Sequence, residues 1–75
     1  MFNKAKIKQL RESKNWSLSD LVFELAKLQH RYTRPTMHNW ERGSTEPKAS
    51  DIAHLAEVFS VPVEYFFSEN SYQVT

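Results

Sequence analysis

Seventy-five residues make one small domain, close to the size at which a single apolar core only just offsets the entropy of ordering the chain. There is no cysteine, which excludes disulfides, and no cluster with zinc-ligand spacing, so the fold must rest on apolar packing, with two Trp, three Tyr and five Phe to supply large buried areas. The net charge is only +1, but residues 1–16 carry five Lys/Arg against one Glu, residues 17–45 four against three, and residues 46–75 one Lys against five acids; a basic front suits a protein that turns one side to phosphate, although solvated charged faces are common.

The first residues, Met1 to Lys8, hold no long apolar stretch, and no later run approaches membrane-spanning length. A cytoplasmic chain with neither secretion signal nor membrane partner is therefore expected. Phe2, Ile7 and Leu10 recur among basic residues at helical spacing, predicting a first helix over about Lys4–Lys14 that stops at Asn15. Ser17, with Asp20 three positions on, reads as a helix cap. Leu18, Leu21, Val22, Leu25 and Leu28 then mark one buried face of a second helix running to about Gln29, with Phe23 and Ala26 beside that stripe.

Thr33 caps a short third helix with Pro35 in its first turn, where a missing N–H is harmless. Met37 and Trp40 point inward, and the helix ends at Gly43, the one glycine of the sequence. Ser44 to Pro47 form a loop, and Lys48 or Ala49 opens a fourth helix with Ile52, Leu55, Ala56 and Phe59 on one face. Pro62 starts a final short helix whose Val63, Phe66 and Phe67 close the core. This gives a domain of five helices over 1–67 and a polar tail over 68–75.

Enzymatic chemistry finds no support: catalysis needs a nucleophile, a base and an orienting group in a pocket, which so small a helical domain rarely forms. No cofactor is expected. His30, His38 and His54 are scattered and read as surface residues rather than metal ligands. What the spacing offers is a helix, a connection and a second short helix bearing Thr33, Arg34, His38 and Asn39. Such a helix can lie in a major groove, Arg pairing with guanine and Asn with adenine. The same residues also suit an ordinary solvated helix, and spacing alone does not choose.

The segment Trp40-Glu41-Arg42-Gly43-Ser44-Thr45-Glu46-Pro47 resembles the signature that ends the recognition helix of lambda-repressor-like, Xre/Cro-type helix-turn-helix proteins. Ile7 to Arg11 resembles that family's first helix, Ser17 to Leu21 the start of its second, and Ile52 to Pro62 its fourth helix and turn. Four segments in order, spanning about Ile7 to Phe67, are far more specific than one. The resemblance implies a compact all-α, five-helix fold with the third helix in the major groove. It implies base contacts from Thr33, Arg34, Pro35 and Asn39, with His38 or Thr36 reaching the DNA backbone. Phosphates would be held at Ser17 and Leu18 and, after the third helix, at Arg42, Ser44 and Thr45. It also implies a structural pair between Arg11 and Glu41.

Three departures matter. From Ser17 to Trp40 the chain has about five residues more than the family's usual spacing, an extended second helix or turn worth roughly 7 Å if helical. A lengthened helix with Phe23, Leu28 and Tyr32 packed on one another is the expectation, the rival being that the extra turn and Arg31 touch DNA or a partner. Leu18 stands where the family often has Gln, so a backbone amide must serve the phosphate. Pro35 offers a base only apolar contact. The expected function is a transcriptional regulator, a phage-type repressor binding double-stranded DNA as a homodimer on a palindromic operator. Phe66 and Phe67 are read first as core and second as dimer residues. The alternative is an antitoxin or protein-interaction module that inhibits a partner protein through its acidic C-terminal half and extended second helix.

Overall fold

The computed structural model describes residues 1–67, and the predicted polar tail over 68–75 lies outside the described residues. The described chain is an all-α bundle of α1 (Ala5–Ser13), α2 (Leu18–Lys27), α3 (Arg34–Arg42) and α4 (Ala49–Phe59), closed by a 3-10 turn over Val63–Phe67, with no strand among the described residues. Ile7 of α1, Leu21 and Leu25 of α2, Met37 of α3, Leu55 of α4 and Phe66 of the 3-10 turn have no solvent exposure. Each such side chain contributes about 1.5–3 kcal/mol through burial. Trp40, Ile52, Ala56 and Phe59 complete the core, and two ring stacks extend it: Trp16 on Phe59 at 5.7 Å and Phe2 on Phe66 at 6.0 Å.

The helix starts follow from local chemistry. Ser17 Oγ accepts the Asp20 N–H at 3.0 Å while the Asp20 carboxylate accepts the Ser17 N–H at 2.8 Å, satisfying two amides that a helix start would leave unpaired. Thr33 Oγ1 accepts the Thr36 N–H at 3.3 Å, and Pro35 occupies the first turn of α3. The Asp51 carboxylate accepts the Lys48 N–H at 2.9 Å ahead of α4.

All four α-helices end in the same way. Asn15, Gln29, Gly43 and Ser60 take positive φ of 59°, 71°, 83° and 56°, and the next amide reaches back to a carbonyl one turn inside the helix. The bonds run from Trp16 to Arg11, His30 to Leu25, Ser44 to Asn39 and Val61 to Ala56, at 2.9 to 3.0 Å. This is the Schellman arrangement, which satisfies carbonyls otherwise left open. Only Gly43 adopts it free of the roughly 1–2 kcal/mol that a Cβ costs in left-handed backbone.

Several expectations change. α2 stops at Lys27 rather than Gln29, so the added residues form a six-residue connector, 28–33, not another helical turn. Leu28, placed on the buried face from its spacing, is 36% exposed because it lies past the last helical residue, and Phe23 is 61% exposed. Tyr32 does not join them; its ring packs edge-on against Trp40 at 5.4 Å. The last short helix is a 3-10 turn that buries Phe66 but leaves Val63 and Phe67 about 40% exposed. Phe66 is thus core, whereas Phe67 meets the Phe2 ring edge-on at 6.3 Å from the rim.

The shared terminators give a direct test. Gln29→Gly is expected to raise stability by about 1 kcal/mol, a gain of roughly 4–8 °C in the thermal midpoint of a chain this size. Gly43→Ala is expected to lower it by about 1–2 kcal/mol. Equal midpoints for both variants and the parent, followed by circular dichroism, would contradict this account of the helix ends.

Candidate nucleic-acid interface

α3 has two sides. Met37 and Trp40 hold it to the core. Pro35, Asn39 and Arg42 follow the i, i+4, i+7 spacing of one stripe, and Arg34 and His38 flank it at i, i+4. Arg34, Pro35, His38 and Arg42 are exposed, Asn39 and Thr36 half-buried. Among the described residues, the side chains of Arg34, His38, Asn39 and Arg42 make no hydrogen bond or ion pair. Two guanidinium groups and an amide are thereby left open to an outside partner.

The two threonines are less free. Thr33 Oγ1 caps α3 and also lies 2.9 Å from Thr36 Oγ1. One of the two hydroxyl protons is used between them, so a single proton remains for any other acceptor. At the start of α2, Ser17 is exposed and its oxygen is occupied by capping, while the Leu18 side chain is half-buried. The N–H groups of Leu18 and Ser19, in the first turn, have no carbonyl to reach within the helix. Arg42, Ser44 and Thr45 are exposed around Gly43 at the far end of α3.

α3 is locked from behind by a bidentate pair. Arg11 Nε and Nη2 donate to the two Glu41 carboxylate oxygens at 2.7 and 2.9 Å, and Nη1 donates to the Trp16 carbonyl at 2.9 Å. The side chains are only 13% and 8% exposed, so the charges are largely removed from water and depend on each other. The hydrogen bonding to Glu41 raises the Arg11 pKa above its ordinary value, against the opposing effect of burial, and the guanidinium stays charged.

A second lock holds the connector, and here the sequence reading of scattered surface histidines does not stand. His30 and His54 stack face to face with centroids 3.6 Å apart. His30 Nε2 meets the Glu57 carboxylate at 2.8 Å, and the Tyr32 hydroxyl lies 2.7 Å from both Asp51 Oδ1 and His54 Nδ1. An ionised carboxylate only accepts, so the phenol proton goes to Asp51 and His54 Nδ1–H must donate to the phenol oxygen. Burial first, then Asp51, pushes the Tyr32 pKa far above its usual value, which keeps that proton in place. His30, Tyr32, His54, Asp51 and Glu57 went unseen as a group because they come from two elements distant in sequence. His38 alone of the three histidines is fully on the surface. No group of three His, Cys, Asp or Glu among the described residues is placed to hold a metal ion, and no helix among them is long and apolar enough to cross a membrane.

Two substitutions probe the locks. Arg11→Met is expected to destabilise by about 2–4 kcal/mol, because Glu41 is left largely buried and unpaired. The double variant Arg11→Met/Glu41→Met should be less destabilised than the sum of the single changes. Strict additivity in urea unfolding would show that the pair is not coupled. Tyr32→Phe, which strands Asp51 and His54, is expected to cost about 1–2 kcal/mol in the same assay.

No protein-family model, curated protein or solved structure shows significant similarity to this chain.

Proposed function

We propose that this chain is a sequence-specific double-stranded DNA-binding transcriptional regulator of the lambda-repressor-like type, with α3 as its reading helix. One observation carries the reading: α3 is fixed to the core by Met37, Trp40 and the Arg11–Glu41 pair, yet carries two arginines and an asparagine whose side chains make no hydrogen bond or ion pair among the described residues. Those are the side chains that read guanine and adenine edges in a major groove, and holding their helix rigid limits the order lost on binding. On this reading Arg34 and Asn39 read bases, with Pro35 and Thr33 in apolar contact. Arg42, Ser44, Thr45, Ser17, Thr36, His38 and the Leu18 amide hold the backbone. So small a reading surface gains affinity by pairing half-sites one helical turn apart, so a homodimer on a palindromic operator is part of the proposal. Gly43, which ends α3 in left-handed backbone, and the capped start of α2 are the local features that fit the family signature.

The test is selection from a pool of random duplex DNA at ~50 and ~200 mM salt, with the parent chain and Arg34→Ala side by side. The parent should enrich a two-fold-symmetric site, bind it more weakly as salt rises, and lose about 1–3 kcal/mol of discrimination at one base position in the variant. Weak binding without enrichment, equal in both proteins, would overturn the reading. It would favour a protein-binding module working through the exposed Phe23 and Leu28 of the α2 side.

A further inference from the structure

Lys4 immediately precedes α1, yet its ammonium lies at the far end of α3. The Nζ is 3.4 Å from the Arg42 carbonyl oxygen, and a Cβ built on Gly43 would come within 2.7 Å of that nitrogen and 3.1 Å of the Lys4 Cδ. The missing side chain at position 43 is therefore what lets the lysine cross over. The bond to Arg42 is long and uses one of three N–H groups, and the Lys4 ammonium makes no other hydrogen bond or ion pair among the described residues. Arg42, whose side chain is unpaired, and Ser44 and Thr45, next along the chain, are exposed residues. Lys4, Gly43 and Thr45 border a cleft of about 440 Å³ whose wall also includes Glu46, but Glu46 forms no ion pair with the ammonium.

We propose that Lys4 is a backbone-binding residue, clamping one phosphodiester of duplex DNA together with Arg42, Ser44 and Thr45. This rests on the DNA-binding reading above but adds a contact from an element that reading does not use. An ammonium at the Arg42 carbonyl, the unpaired Arg42 side chain and two hydroxyl residues next in the chain offer the donors that a tetrahedral anion takes. The competing role is purely structural: a cation near a helix C-terminus stabilises the last carbonyls. The two roles differ in one measurable quantity, the number of counterions released on binding.

Lys4→Met keeps the aliphatic stem beside Gly43 and removes the charge. Binding to a duplex of about 20 base pairs should be titrated across a salt series for the parent chain, Lys4→Met, Lys4→Arg and Lys27→Met, the last removing a lysine that pairs with Glu24 on α2. The expected result is a salt slope smaller by about 0.9 for Lys4→Met, with binding several-fold weaker at low salt, and parent-like slopes for Lys4→Arg and Lys27→Met. Thermal midpoints should stay within roughly 3 °C of one another, since Lys4 is exposed. An unchanged slope for Lys4→Met, with the parent binding normally, would reduce Lys4 to a helix cap and overturn the proposal. A parent chain that binds no duplex would instead remove the DNA reading, and this contact with it.

Discussion

Arg11 is the residue on which the arrangement of the other elements depends. It lies in α1, holds Glu41 of α3 with two hydrogen bonds and takes the Trp16 carbonyl with a third, while its own carbonyl accepts the Trp16 amide that closes the helix. One planar guanidinium thus relates two helices and the turn between α1 and α2. A lysine could not do this, since its ammonium offers no flat fork to match a carboxylate. Burying such charges adds little net stability over an apolar replacement. The gain is directional: the pair admits one relative orientation of α1 and α3, where apolar surfaces alone would tolerate several.

Much of the architecture was legible in the residues because it is locally encoded. Ser17 with Asp20, Thr33 with Pro35, and Gly43 each satisfy a backbone requirement within a few positions, and the inward faces of α3 and α4 repeat at helical spacing. The failures are where no local signal exists. Gln has no marked preference for left-handed backbone, so nothing local marks the end of α2 at Lys27; the helical reading runs on to Gln29 and keeps Leu28 on an apolar stripe although the helix ends one residue before it. A 3-10 turn has three residues per turn instead of 3.6, which alters which of Val63, Phe66 and Phe67 reach the core. On α3, the exposed side chains were visible as a helical pattern. That Lys4 reaches the C-terminal end of α3 is a tertiary fact with no sequence signature.

The six-residue connector is a long link between two packed helices, and the way it is held explains how it keeps α3 in register. A longer link costs entropy only slowly with length, but it would let α3 wander if left loose. Here His30 and Tyr32 bind it to α4 through a ring stack and three polar contacts, and Tyr32 adds its ring to Trp40. The residue next to Tyr32 is the cap of α3. The connector therefore behaves as a braced strut between α4 and α3, and the two braces, Arg11 at one end of α3 and Tyr32 at the other, constrain the helix from both sides.

The Asn3 N–H donates to the Phe66 carbonyl at 2.7 Å and Phe2 stacks on Phe66, so residues near the two ends of the described chain share one corner of the molecule. The bundle is then a closed circuit in space, and the order in which its helices are threaded is separable from the way they pack. A chain cut within a surface loop and rejoined across that corner would preserve every helix-to-helix contact. For the same reason, a domain joined before Met1 and one joined directly after Phe67 would project from a single place on the molecule.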